Sequence, residues 1–225
     1  MATVGVIPAA GHATRLQPLN CSKEVYPIHG RPVMDFLVER MRSGGCAEIR
    51  VVTRAAKRDV AEHARRLGAT VIDARPPSPA ASIVAGLRGL AHDDIVLLGY
   101  PDSIWEPVDG FVPLIELIES GSEAALGLFR TTEVERPDVA TLDGSGLVTS
   151  VDVGSETPPP HLMWGCATAR ARALRGLPEH DDPGDYLASL CRKVPVPGVI
   201  LSDTYLDMGT RTGLRRVLAS PALRR

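Results

Sequence analysis

A marked excess of charge of either sign is missing from this chain. Its 25 Lys and Arg against 27 Asp and Glu leave a formal net charge of −2. That gives no reason to expect a nucleic acid or an anionic membrane surface as partner, so any binding of anions must be local. Cysteine is sparse: Cys21, Cys46, Cys166 and Cys191 lie far apart, with no Cys-x-x-Cys and no paired Cys/His spacing. A zinc site and a disulfide framework are both poorly supported. No apolar stretch approaches membrane-spanning length and no leader pattern precedes the first strand, so the expected location is cytoplasmic. Aromatic residues make up only 4% of the chain, which leaves Trp105, Trp164 and a few tyrosines to build any cage for a quaternary ammonium.

What is present is ordinary globular composition, 44% hydrophobic and 23% charged over 225 residues, enough for a substantial core. Apolar runs at 4–7, 49–53, 70–72, 95–98 and 124–129 read as strands. Several show no alternation, as in strands covered on both faces. Between them, Met34, Leu37, Val38 and Met41 fall at helical spacing, with Pro32 placed to open that helix and Gly44-Gly45 to close it. Helical patterns also span 57–67, 80–91 and 109–120. Strands alternating with helices over 130 residues imply βαβ units, an α/β fold with a mostly parallel central sheet flanked by helices. From about 137 the rhythm changes to a small β-rich insertion. Asp143-Gly-Ser-Gly146 signals a hairpin between Val139–Leu142 and 147–153. A helix near 184–192, a strand at 194–201 and a closing helix from Thr210 follow. One domain over 1–225 is expected, divided at 136.

The segment 4–34 carries most of the functional information. After the first strand come Ala9, Ala10 and Gly11, then His12, Ala13, Thr14 and Arg15, and eight residues later Lys23. Small residues let backbone N–H groups approach a bulky anion, and Arg15 and Lys23 add the charge that a polyphosphate needs. There is no Gly-Lys-Ser/Thr for a P-loop, and the three-glycine dinucleotide fingerprint is broken. Cys21, inside this stretch, reads better as a small buried residue than as a reactive thiol. Further on, Asp102 follows the strand at 95–98, and Asp207 precedes the closing helix. A carboxylate pair of this kind suits a magnesium ion shared with phosphate oxygens.

These motifs resemble those of the sugar-phosphate nucleotidylyltransferases, especially bacterial glucose-1-phosphate thymidylyl- and uridylyltransferases. The family's Gly-x-Gly-Thr-Arg-Leu-x-Pro appears as Gly11-His-Ala-Thr-Arg-Leu-Gln-Pro18, its following lysine as Lys23, its metal-binding aspartate as Asp102, and its late Asp-Ile/Val-Gly-Thr as Asp207-Met-Gly-Thr210. The resemblance covers 4–214 and implies a Rossmann-like nucleotidyltransferase fold that joins a sugar 1-phosphate to a nucleoside triphosphate. By analogy Arg15 and Lys23 are catalytic. Ala9, Ala10, Gly11, His12, Ala13, Thr14 and Arg15, with Pro79, Ala81 and Ser82, bind the nucleotide. Asp102 and Asp207 hold Mg²⁺. Asp138, Asp152, Trp164 and Gly165 bind the sugar.

The departures are specific. Ala13 replaces the second glycine of the first motif and is expected to exclude a positive φ there. Ala81 replaces another glycine, and Val84 stands where thymidylyltransferases carry a base-contacting Gln. The family's Glu-Lys-Pro appears as Asp152-Val-Gly154, without the lysine that binds the sugar phosphate. Two alternatives stay open: a degenerate paralogue that binds nucleotide sugars and regulates a partner, and a cytidylyltransferase for a phospho-alcohol such as phosphocholine. Homo-oligomerisation stays open as well.

Overall fold

The apolar runs of the first hundred residues become the parallel half of one sheet. In the computed structural model, which describes residues 1–132, 134–220 and 223, β1 (Thr3–Pro8) leads to a small hairpin of β2 (Pro27–Ile28) and β3 (Arg31–Pro32). Then follow α1 (Met34–Ser43), β4 (Glu48–Thr53), α2 (Arg58–Arg66), β5 (Thr70–Asp73), α3 (Pro79–Leu87) and β6 (Ile95–Gly99). Strands β6, β1, β4 and β5 lie side by side, all parallel. Alternate residues of β1 serve different faces. Ile7 packs with Met34, Leu37, Val38 and Met41 of α1, while Val6 packs with Ala80 and Ile83 of α3. Both faces are covered, which is why these strands read as unbroken apolar runs.

The second half extends the same sheet. It comprises β7 (Ser103–Trp105), α4 (Phe111–Glu119), β8 (Ala124–Thr131), β9 (Val139–Leu142), β10 (Val148–Asp152), β11 (His161–Arg170), α5 (Pro183–Cys191), β12 (Gly198–Ser202), β13 (Tyr205–Asp207) and α6 (Arg211–Ala219). The long β11 is the junction. It runs antiparallel to β8 from His161 to Ala169 and antiparallel to β6 from Cys166 to Arg170, and it meets β9 at Met163. With β12 parallel to β8 the sheet reaches nine strands. The expected hairpin forms, with Asp143 Oδ1 accepting from the amides of Ser145 and Leu147 at 2.8 and 3.0 Å. No helix among the described residues is long and apolar enough to cross a membrane.

Two local features differ from the sequence reading. Pro32 does not open α1. His29 and Gly30 take φ values of 48° and 88° and turn the chain back, so that Pro32 pairs with Pro27 and the helix begins at Met34. The three-residue strands β7 and β13, too short to leave a periodic signal, pair antiparallel with Asp207 opposite Ser103. Met208 N–H donates to the Asp102 carbonyl at 3.0 Å, continuing that pairing past the strand end.

Helix α3 lies close on the sheet through Gly86. A methyl there would sit 2.4 Å from Val6 Cγ1 and 3.3 Å from Val52 Cγ2. Gly86→Val is expected to cost about 1–3 kcal/mol by overpacking. Chemical denaturation reads this directly, and an unchanged midpoint would contradict the packing.

Candidate active site

The loop after β1 opens at the carboxyl edge of the parallel strands, where open α/β sheets take their ligands. Ala9 and Ala10 are buried, and the Ala9 amide donates to the Val52 carbonyl at 2.8 Å. Gly11 faces open space: a methyl built there would meet no atom within 4 Å. Ala13 corrects the expectation drawn from its side chain. It adopts φ 53° and ψ 37°, the left-handed conformation a glycine would take. That costs an alanine about 1–2 kcal/mol, so the surrounding loop holds the shape against its own preference. Thr14 and Arg15 follow in a single 3-10 turn.

Lys23 sits on a second such turn, Lys23–Val25. Its neighbour Ser22 is tied to α2, its amide and hydroxyl donating to the two Asp59 carboxylate oxygens at 2.7 and 2.8 Å. From there Lys23 Nζ reaches across the cleft and donates to Asp102 Oδ2 at 2.5 Å. Burial pulls the Lys23 pKa down, but Asp102 and then Glu24 outweigh it, and the ammonium is held more firmly than usual.

Asp207 stands beside this pair because β13 is zipped to β7. A methyl on Gly209 would lie 3.0 Å from Asp207 Oδ1 and 3.5 Å from Asp102 Oδ2, so the two carboxylates flank a common point. Burial, and next the charge of Asp102, push the Asp207 carboxyl up to about 6. The Gly209 amide, donating to Asp207 Oδ1 at 2.7 Å, and then Lys23 and Arg15 act the other way. This is a donor set short of positive charge. It suits a hard cation with the rest of its coordination supplied by ligand oxygens.

Arg15, Lys23, Asp102 and Asp207 all line one cavity of about 380 Å³, together with Ala13, Thr14 and Pro79. A hollow of about 200 Å³ shares Lys23, Pro79 and Asp102 with it and is walled by Ala10, Gly11, His12 and Ser82. Ser82 is buried, and its hydroxyl has no hydrogen-bond partner among the described residues. Ala81 faces a different hollow, and its amide is spent on the Ser78 Oγ helix cap at 3.1 Å. His12 touches the Arg54 guanidinium.

The far end of the cavity is carboxylate-rich. Asp138 accepts from Trp164 Nε1 at 3.0 Å and from the Gly154 amide at 2.9 Å. Burial, with Asp182 among the further causes, pushes its carboxyl up. Trp164 lies 5.7 Å from the ring of Tyr100, a half-buried residue that lines the cavity and that sequence reading passes over along with Asp182. Neither Asp152 nor Gly165 reaches this lining. Asp152 is exposed at the end of β10. The Cβ position of Gly165 is filled by Tyr205 Cε2 at 2.3 Å, so the glycine serves close packing beneath the cavity floor. Cys21 is half-buried, and burial, then Asp59 and Glu24, push its thiol up.

Residues 5–137 match the family model described as the MobA-like NTP transferase domain. Among curated proteins, the low-salt glycan biosynthesis nucleotidyltransferase Agl11 of Haloferax volcanii is 28% identical over 169 residues, covering 70% of this chain and 46% of that protein. A UTP–glucose-1-phosphate uridylyltransferase of Streptococcus pyogenes is 43% identical over 60 residues, 26% of this chain and 20% of that protein. The chain thus spans less than half the length of either relative. Among solved structures, a UDP-glucose pyrophosphorylase complexed with UDP-glucose superposes with a TM-score of 0.84 at 16% identity, covering 100% of both chains. A UTP-bound UGPase from Acinetobacter baumannii gives 0.76 at 17% identity, covering 100% of this chain and 96% of that one. At such identities the likeness shows a shared fold.

Removing one partner of a buried ion pair leaves a charge uncompensated. Lys23→Met is expected to lower stability at neutral pH by about 3 kcal/mol. Adding Asp102→Asn should restore most of it. Denaturant titration of the three proteins checks this, and an unaffected Lys23→Met variant would place the ammonium elsewhere in solution.

Proposed function

The chain belongs to the MobA-like NTP transferase domain family, and from that premise we propose that it is a sugar-1-phosphate nucleotidylyltransferase, joining a hexose 1-phosphate to a nucleoside triphosphate with release of pyrophosphate. The observation that carries this reading is the convergence of Arg15, Lys23, Asp102 and Asp207 on one cavity, from four separate stretches of sequence.

In the proposed reaction a phosphate oxygen of the acceptor forms a bond to the α-phosphorus, and the bond from that phosphorus to the bridging oxygen of pyrophosphate breaks. A phosphate monoester with a second pKa of about 6 is already dianionic at neutral pH, so no general base is needed. What the protein supplies is position and charge. The loop 10–14 cradles the triphosphate with its amides, the Ala9 amide being spent on the Val52 carbonyl, while Arg15 holds the departing phosphates and Lys23 neutralises the α-phosphate. The smaller hollow takes the nucleoside, with the unpartnered Ser82 hydroxyl available to it. Asp102 and Asp207 fit Mg²⁺, since one buried and one half-buried carboxylate flank a common point and their mutual repulsion falls when a cation binds. When bound, that ion neutralises phosphate charge. Asp138 and Trp164 receive the acceptor, and a carboxylate there accepts from sugar hydroxyls.

One observation favours a second reading. Asp138 and Asp182 make no ion pair among the described residues, and the rings of Trp164 and Tyr100 line the same end. That end also suits a phospho-alcohol bearing an ammonium group.

Purified protein with Mg²⁺, each common nucleoside triphosphate and a panel of sugar 1-phosphates plus phosphocholine should release pyrophosphate with a hexose 1-phosphate. Turnover with phosphocholine alone would select the second reading, and silence across the panel would overturn both. In the active pair, Asp102→Asn should lower kcat by about 100-fold or more while the far-UV spectrum stays parental. Undiminished turnover would remove Asp102 from the reaction.

A further inference from the structure

At the amino end of α2, Lys57 is almost wholly enclosed and its ammonium makes three contacts. Nζ donates to the Ala9 carbonyl at 2.8 Å, to the Gly11 carbonyl at 3.1 Å and to Glu24 Oε2 at 2.6 Å. An ammonium has three N–H donors, so all three are used and none remains for a ligand. Glu24 is fully buried, and its other oxygen has no partner among the described residues. Two residues beyond Lys57, Asp59 grips both the amide and the hydroxyl of Ser22. The first turn of α2 therefore holds the loop after β1 with one side chain and the loop bearing Lys23 with both.

These two loops are the halves of the polyphosphate site. They are about a dozen residues apart in sequence, and each is irregular backbone. Nothing in the loop after β1 favours its observed shape: Ala13 is held at a positive φ, and Gly11 is conformationally free. We propose that Lys57 is a positioning residue, fixing the phosphate-facing amides of 10–14 relative to the Lys23 ammonium through its three hydrogen bonds. The inference rests on the nucleotidyl-transfer reading for its kinetic consequence, though not for its structural one. Burying a lysine costs desolvation, visible in its lowered pKa, which burial causes against the pull of Glu24. A preorganised cradle is the return. A displacement of about 1 Å in a positioned group lowers rate by as much as about 100-fold.

The test must separate position from charge and from stability. Lys57→Met alone strands the Glu24 carboxylate and is expected to unfold readily. The double variant Lys57→Met with Glu24→Gln removes both charges together, keeps the net charge and should recover most of the lost denaturation midpoint. In that variant kcat/KM for the nucleoside triphosphate is expected to fall by about 10- to 100-fold, with the KM for the acceptor little changed. Amide hydrogen exchange at residues 10–14 should speed up by about tenfold without any substrate. A folded double variant with parental kinetics and parental exchange would overturn the proposal. Should the double variant fail to fold, Lys57→Arg decides. It keeps the ion pair, but its planar fork cannot meet three acceptors arranged around one nitrogen, so the same changes in exchange and in kcat/KM for the nucleoside triphosphate are expected, and their absence would overturn the proposal. A parent protein protected at 10–14 that turns over no substrate would sink the functional reading and leave the clamp standing.

Discussion

Two carboxylates held against each other define this molecule. Asp102 and Asp207 are a hundred residues apart in sequence, and left to themselves they would repel. The antiparallel pairing of β7 with β13 forces them together, and the Met208 amide on the Asp102 carbonyl extends the grip. Lys23 sits against one of them at 2.5 Å and moderates the repulsion without removing it, since Asp207 remains pushed up to about 6 by burial and by Asp102. Hydrogen bonds of the backbone thus sustain an electrostatic arrangement that side chains alone would undo. Residual strain of this kind, stored where a ligand is expected, is a mark of binding sites.

Around that centre the fold distributes charge by element. The cations come from the amino-terminal stretch, Arg15 from the turn after β1 and Lys23 from the next one. The carboxylates come from strand ends. The far wall, Asp138 with Asp182, comes from the half of the sheet built on β11. A gradient runs from the cationic loop to the acidic wall. On the proposed reading, the polyphosphate lies at one end and a hydroxyl-bearing or ammonium-bearing acceptor at the other. The missing lysine of the Glu-Lys-Pro motif is consistent with that gradient: Val153 stands in its place, Asp152 beside it faces solvent, and on the proposed reading carboxylates face the acceptor.

The parallel half of the fold was legible because both of its faces are buried, and unbroken runs such as Ile95–Gly99 leave little else to be. The α1 stripe at Met34, Leu37, Val38 and Met41 was equally plain. Legibility ended where structure depends on distant pairing. Strands β7 and β13 have three residues each and carry no periodicity, yet their pairing is what sets Asp102 beside Asp207. The two aspartates could be named from motif order, but their adjacency could not be derived. Ala13 departs from its sequence expectation because a methyl group lowers the preference for a positive φ without forbidding it. Lys57 itself left one usable signal: a cation just beyond the carboxyl end of a central parallel strand, on the edge where ligands bind. Asp182 carries no signal of its own beyond a position before Pro183 that suits a helix cap, which it is, since Asp182 Oδ1 accepts from the Gly184 amide at 2.7 Å.

A charge count at the nucleotide end explains why rigidity matters there. Arg15 and Lys23 bring two positive charges, and Asp102 and Asp207 return two negative ones. Lys57 adds nothing outward, because Glu24 cancels it inside the protein. On the proposed reading, two phosphate-bearing reactants must nevertheless meet at this neutral place. On the proposed reading, a divalent cation between the aspartates is what turns the site net positive. The protein's own share is then directional: amides and side chains aimed at fixed points, whose dipoles need no reorganisation when charge shifts. Such a contribution decays steeply with displacement. A cradle built largely of alanines and glycine has few side chains with which to hold itself in shape, His12 against Arg54 among them, so much of its geometry is imposed from outside, by the ammonium at the head of α2.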